Sequence, residues 1–230
     1  MEAAAESSVI SLNFGELAVS PKQVARYAGG ARYRAAPSQR ENISAVLEQA
    51  NRLVNPAFVY SVREVSRIGD AGGVSLDNRT YFHIPGEADP GIKYLAFCIC
   101  TIGPALEEEA QRIMSGGDLL SGLFLDAAGV AFLESLGSNA HEHLRDEAHK
   151  HGLHAGCRFG PGYGGLDLSI QNQLFGQVDA SAIGVRLNES CVMTPAKSLS
   201  FFTKWTTSET PESGRYKCSL CNLQDCPYRV

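Results

Sequence analysis

Apolar and polar positions repeat along this chain with two different periods. Ile43, Val46, Leu47, Ala50, Leu53 and Val54 are spaced by three and four, which places them on one face of a helix. Ser38-Gln39-Arg40-Glu41 stands ahead of them and has the form of a capping box. Ser20-Pro21 opens an earlier helix that ends at Gly29-Gly30, with Ser as N-cap and Pro in the first turn. Phe58 to Val62 is strand-like, and a glycine-interrupted, strand-rich stretch follows to about Pro90. Tyr94 to Thr101 is a continuous apolar run of strand length.

The helical period then returns. Glu107-Glu108-Glu109 supply an acidic first turn after Gly103-Pro104, which suits the helix dipole. Gly116-Gly117 stop that helix and Asp118 caps the next. Leu119, Leu120, Leu123, Phe124, Ala127, Val130 and Ala131 continue on one face, and the pattern runs to about His151. Such a helix would be about 50 Å long and form a spine of the fold. Gly122, Gly129 and Gly137 lie inside it; each disfavours the helix unless something packs close to its backbone. Ser169 caps a short helix with Ile170, Leu174, Phe175 and Val178, and Ala182 to Leu187 and Lys197 to Trp205 read as strands. Helix and strand mix without regular alternation, which points to an α+β fold. Residues 1–205 are expected to form one domain, with 1–90 the least constrained part, and 206–230 a polar tail.

Composition narrows the function classes. Hydrophobic residues make up 44% of the 230 and charged residues 20%, enough apolar content for a packed core. Twenty basic against 25 acidic side chains leave a formal charge of -5, so no basic field prepares the chain for nucleic acid. No apolar run approaches the roughly 20 residues of a membrane span, and Met1-Glu2-Ala3-Ala4-Ala5-Glu6 lacks the form of a signal peptide. Seven cysteines without an export signal suggest cytoplasmic thiols or metal ligands.

Four stretches carry candidate chemistry. Gly160, Gly162 and Gly165 match G-x-G-x-x-G, but Pro161 sits in the turn, no clear strand precedes, and the next helix starts only at Ser169, which argues against a dinucleotide site. Arg158-Phe159-Gly160-Pro161-Gly162-Tyr163 joins a fixed cation, a flexible backbone and a phenol. An arginine can hold a carboxylate bidentately, and an ordinary surface loop is the plain alternative. In the segment from Asn188 to Ser200, Glu189 could face a cationic ligand or, with Ser190, satisfy turn backbone groups. His141, His143, His149, His151 and His154 crowd together without H-E-x-x-H spacing, so a solvated helix end is the simpler reading. Cys218, Cys221 and Cys226 place three thiols within nine residues. Thiolates suit zinc or an iron–sulfur cluster, while a redox thiol pair and inert tail cysteines remain alternatives. Cys98 and Cys100 share one strand face and read as small core residues.

These residues resemble a known family. The Arg158–Tyr163 segment, followed by Glu189-Ser190 with Met193, Pro195, Ser198 and Ser200, is similar to the activation domain of vitamin B12-dependent methionine synthase. Thr101, Gly103, Leu106-Glu107-Glu108, Asp118 and Asp126 agree more weakly, so the resemblance spans roughly residues 94–205. The short length and the Cys-x2-Cys-x4-Cys-Pro-Tyr-Arg ending look more like standalone bacterial relatives. The resemblance implies a twisted antiparallel sheet with surrounding helices and a shallow groove for S-adenosylmethionine. Carried over by position, Arg158 would bind the methionine carboxylate, Phe159 and Gly160 would offer backbone groups, and Pro161, Gly162 and Tyr163 would line the site. Glu189 would be a supporting carboxylate. Thr203 stands where the synthases have a ligand-site tyrosine, and their N-terminal Asp in a Trp-rich stretch has no counterpart in residues 1–30.

A D-x-H-x-x-G segment for cobalt ligation is absent from the sequence. The resemblance therefore implies reductive reactivation of a corrinoid methyltransferase. Cobalamin would be carried by a partner methionine synthase or methyltransferase chain, and an electron-donor protein would complete the system. Two rivals are a metal or iron–sulfur redox protein that serves a corrinoid protein, and a non-enzymatic module that only stabilises a methyltransferase.

Overall fold

The computed structural model describes residues 7–11, 17–69, 73–76, 80–84, 89–163 and 166–208. Its strands are β1 (Ser8–Ser11), β2 (Ala57–Ile68), β3 (Gly73–Leu76), β4 (Thr80–His83), β5 (Ile92–Thr101), β6 (His154–Ala155), β7 (Arg186–Leu187), β8 (Met193–Thr194) and β9 (Ser198–Thr206). Its α-helices are α1 (Pro21–Gly29), α2 (Pro37–Leu53), α3 (Ala105–Ser115), α4 (Leu119–Lys150) and α5 (Ile170–Phe175).

The sheet runs β4-β3-β2-β5-β9-β6, and β1 also pairs with β2. Every pairing in it is antiparallel. The α+β expectation therefore holds, with β7 and β8 forming a separate hairpin. The centre is β5, paired along its length with β2 and β9. Its unbroken apolar run follows from this position, because both of its faces are buried.

Period-2 geometry divides the core in two. Phe58, Ala96, Cys98, Cys100, Phe201 and Trp205 face α1–α4. Val59, Leu95, Phe97, Ile99 and Phe202 face the other way, against Leu166, Leu174 and Val178. Cys98 and Cys100 are fully buried, with their sulfurs 3.8 Å apart. Burial and the neighbouring Cys100 thiol hold the Cys98 thiol well above its ordinary pKa, so these are apolar core groups.

Most helix starts follow their caps. Ser20 accepts from Gln23 N–H and Gln23 reaches back to Ser20 N–H. The Asp118 carboxylate accepts from Ser121 N–H at 3.0 Å. Two expectations shift. The second helix begins at Pro37, and Gln39, not Glu41, reaches back to the Ala36 N–H at 2.8 Å. Residues 182–187 are not one strand: a 3-10 turn at Ala180–Ile183 leads through Gly184, at φ 74°, into the short β7.

Helix α4 holds an 18-residue window of mean hydropathy 1.6, apolar enough by composition to cross a membrane and 50% buried within the fold. That exceeds what the sequence reading allowed for an apolar run. The helix is covered by α1, α2 and α3 on one side and by the sheet on the other. Two of its glycines admit side chains from the sheet. A Cβ on Gly129 would lie 3.1 Å from Lys197 Cε, and one on Gly137 would lie 2.5 Å from Arg158 Nη1 and 2.9 Å from a Leu199 methyl.

Candidate functional site

The three stretches that carry the resemblance converge on β9. Residues 158–163 run along its outer edge. Phe159 N–H donates to the Phe202 carbonyl at 2.9 Å, and Phe202 N–H returns the bond at 3.0 Å. The Phe159 ring stacks on Phe202, with centroids 5.4 Å apart, inside the second core. Phe159 can therefore offer a ligand no ring surface and only the second lone pair of its carbonyl. Pro161 is buried, and Tyr163 N–H closes a turn onto the Gly160 carbonyl at 3.1 Å. Gly160 N–H donates to none of the described residues. The Tyr163 side chain is 75% exposed.

Arg158 points the opposite way, onto α4. Its guanidinium carbon lies 5.5 Å above the Phe201 ring. Its Nη2 stands 3.6 Å from Glu134 Oε2, and only 11% of the side chain is exposed. Aromatic face, helix backbone and carboxylate together fix the guanidinium plane. The distance is long for a charge-assisted bond, whose usual range ends near about 2.9 Å.

A second cation repeats this arrangement. Lys197 crosses Gly129 and reaches Asp126 Oδ1 at 2.6 Å. Around it the weaker stretch of the resemblance becomes a latch. Glu107 accepts from Ala196 N–H at 3.0 Å and from Lys197 N–H at 2.8 Å. The Thr101 hydroxyl accepts from Ser198 Oγ at 3.0 Å and from Gly103 N–H at 3.1 Å. Thr101, Glu107 and Asp126 thus fix the start of β9.

The 188–194 turn is tied down separately. Asn188 accepts from Ser190 N–H and Val192 N–H, each at 2.9 Å. Cys191 has φ 59°. Gln171, buried on α5, donates to the Cys191 carbonyl at 3.4 Å and accepts from Ser200 Oγ at 3.2 Å. One amide therefore links α5, the turn and β9. Glu189 is exposed and makes no hydrogen bond or ion pair with a described residue.

Thr203 is fully buried, and its hydroxyl donates to the Gly156 carbonyl at 2.9 Å. His141 Nε2 lies 2.8 Å from the same carbonyl. A carbonyl only accepts, so Nε2 carries the proton. Burial lowers the His141 pKa; the bond to Gly156 opposes this, and the charges of Arg158 and Arg145 reinforce it. The expected solvated histidine end is thus only partly realised. His141 is a core donor, His143 packs edge-on against Phe58 and Tyr60, and His151 stacks on Trp205.

Among the described residues no group of three His, Cys, Asp or Glu side chains could hold a metal ion. Cys218, Cys221 and Cys226 lie outside the described residues. Sequence reasoning missed Glu134, Gln171 and Lys197. Glu134 and Gly137 are three apart on a helix, and a carboxylate followed by a glycine at that spacing was the available signal.

No protein-family model matches the chain, and no curated protein matches it in sequence. Among solved structures, the chain is similar to the MetH reactivation domain bound to AdoHcy, with a TM-score of 0.61 and 13% identity. The match covers 90% of this chain and 81% of that one. The two share a fold, the mostly antiparallel sheet with surrounding helices described above.

Proposed function

We propose that the edge of β9 binds S-adenosylmethionine, and that the protein serves the reductive reactivation of a methionine synthase or related methyltransferase whose cobalamin is carried by a partner chain. One observation carries this reading: a largely buried guanidinium beside a carboxylate at 3.6 Å, in a fold shared with a domain bound to AdoHcy. A cation and an anion held side by side match the two ends of an α-amino acid zwitterion. Arg158 takes the ligand carboxylate, and Glu134 takes the ammonium. Gly160 N–H donates to none of the described residues, and Glu189, exposed on the 188–194 turn, is a further carboxylate. Exposed Tyr163, Leu168 and Val192 give an apolar margin for the partner. S-adenosylmethionine supplies the methyl group; this chain's contribution is positioning.

Calorimetric titration with S-adenosylmethionine, and with S-adenosylhomocysteine as control, tests the reading. Arg158→Ala is expected to weaken binding by about 1.5–3 kcal/mol, and Arg158→Lys to restore only part, because an ammonium lacks the planar fork. Unchanged affinity in the alanine variant removes Arg158 from the site. Tight stoichiometric cobalamin binding by the isolated chain would rule out the partner as corrinoid carrier.

A further inference from the structure

A cluster of cations lies away from β9, along α1, the connection after it and the start of α2. A cavity of about 570 Å³ opens there, lined by Lys22, Arg26, Arg34 and Arg40. Tyr33 and Ile43 form part of its apolar wall. No aspartate or glutamate is among the lining residues. That is unexpected in a chain of 25 acidic and 20 basic side chains. Lys22, Arg34 and Arg40, gathered around one concavity, repel each other, and an anion among them would relieve that repulsion.

Two of the cations are held in place before any ligand arrives. Arg34 Nη1 donates to the Tyr33 carbonyl at 3.0 Å and the Ala31 carbonyl at 3.3 Å. Arg40 Nε donates to the Ala35 carbonyl at 3.0 Å. Each guanidinium keeps further N–H groups in a fork suited to phosphate oxygens. Neither Arg34, Arg40 nor Lys22 is paired with a carboxylate among the described residues. The first turn of α2 borders the same space at Arg40, and its dipole favours negative charge there.

We propose that this cavity binds an organic polyphosphate, of the nucleoside di- or triphosphate class. Lys22, Arg34 and Arg40 match several phosphate charges. The volume falls within the roughly 300–1,000 Å³ of small-molecule sites, more than a bare phosphate fills. The phenol of Tyr33 and the aliphatic wall at Ile43 take the apolar body. The site is separate from the β9 edge, and occupation of one does not require the other.

The test uses the full chain at fixed ionic strength, with adenosine triphosphate, inorganic tripolyphosphate and sulfate as probes in calorimetry and thermal melting. Adenosine triphosphate is expected to bind, to raise the melting temperature, and to bind more tightly than tripolyphosphate. The exposed pair Arg34→Ala/Arg40→Ala should lose about tenfold or more in affinity. It should fold normally and keep its response to S-adenosylmethionine. Arg145→Ala, an exposed cation on α4 outside the cavity, should bind the nucleotide like the parent chain. No binding, equal loss in the Arg145 variant, or an equal response to sulfate overturns the site. Equal affinity for tripolyphosphate and adenosine triphosphate overturns the organic body.

Discussion

Lys197 and Arg158 lie against the same helix, over glycines eight residues apart, each beside the carboxylate three positions earlier. That is about 12 Å along α4. The lysine reaches Asp126 at 2.6 Å, while the arginine stands 3.6 Å from Glu134. The lysine's own N–H and that of Ala196 are clamped by Glu107. The neighbours of Arg158 in sequence form a strand-edge turn that ends in the exposed Tyr163. A tight pair embedded in a latch holds the fold together. The wider pair, beside an exposed loop, is the one the proposed ligand would engage.

The sharpest way to break this contrast is to remove each cation in turn. Arg158→Met is expected to lose about 1.5–3 kcal/mol of S-adenosylmethionine binding, with a loss of stability as well because Glu134 Oε2 is buried beside it. Lys197→Met should keep the binding and lower stability by about 1 kcal/mol or less, because Asp126 is 43% exposed and solvent screens the pair. Calorimetric titration and urea unfolding separate the two effects. The same pattern in both variants would abolish the distinction.

The latch comes next in size. Glu107→Gln leaves one acceptor oxygen for two backbone donors and brings an NH2 group against the other. The expected loss is about 1–2 kcal/mol of unfolding free energy, with ligand affinity lowered less than in Arg158→Met. Affinity lost in full with stability intact would move the site from Arg158 to the latch.

The glycines give a smaller test. Alanine favours a helix interior over glycine by about 1 kcal/mol, which offsets part of any clash. At Gly137 the new methyl meets Arg158 Nη1 and a Leu199 methyl; at Gly129 it meets a Leu106 methyl and the Lys197 chain. Stability should change by no more than about 1 kcal/mol in either variant. Ligand affinity should fall only for Gly137→Ala.

Much of the fold was legible because it rests on local signals. Ser20-Pro21, Asp118 and the apolar run from Tyr94 mark element ends that the structure keeps within a few residues. The start of α2 was misplaced because two polar residues compete for the same role, and Gln39 reaches the Ala36 N–H first. Residues 182–187 resemble a strand in composition, but the Asp179 carboxylate and Gly184 set a turn there. At the site, the motif letters marked the right segments without saying which way side chains point. Alternation along β9 and the residue before it sends Lys197, Leu199 and Phe201 to α4, and Ser198, Ser200 and Phe202 to the opposite face. Glu134 joins Arg158 only through this tertiary geometry, across 24 residues, and no local pattern encodes that distance.

His141 provides the finest test, because it senses Arg158 without touching a ligand. Its pKa in the folded state lies below the ordinary 6.5, through burial first and the Arg158 charge among the lesser causes. Above pH 6.5 it is neutral in both folded and unfolded chains, and its contribution to stability is complete. As pH falls through 6.5 the unfolded chain takes up a proton that the folded chain refuses. Stability therefore declines with falling pH, by at most about 1.4 kcal/mol per pH unit for one such group, until the folded-state pKa is passed. His141→Gln, which can still donate to Gly156, should flatten that part of the stability–pH curve. Removing the Arg158 charge should raise the folded-state pKa of His141, as read by NMR titration of its ring protons, and Lys197→Met should leave it unchanged. A ligand carboxylate on Arg158 should act in the same direction as the Arg158 variant, since it neutralises the same charge. An upward shift on adding S-adenosylmethionine, absent in Arg158→Met, would locate the bound carboxylate at the wider pair; no shift in the parent chain at saturating ligand would place it elsewhere.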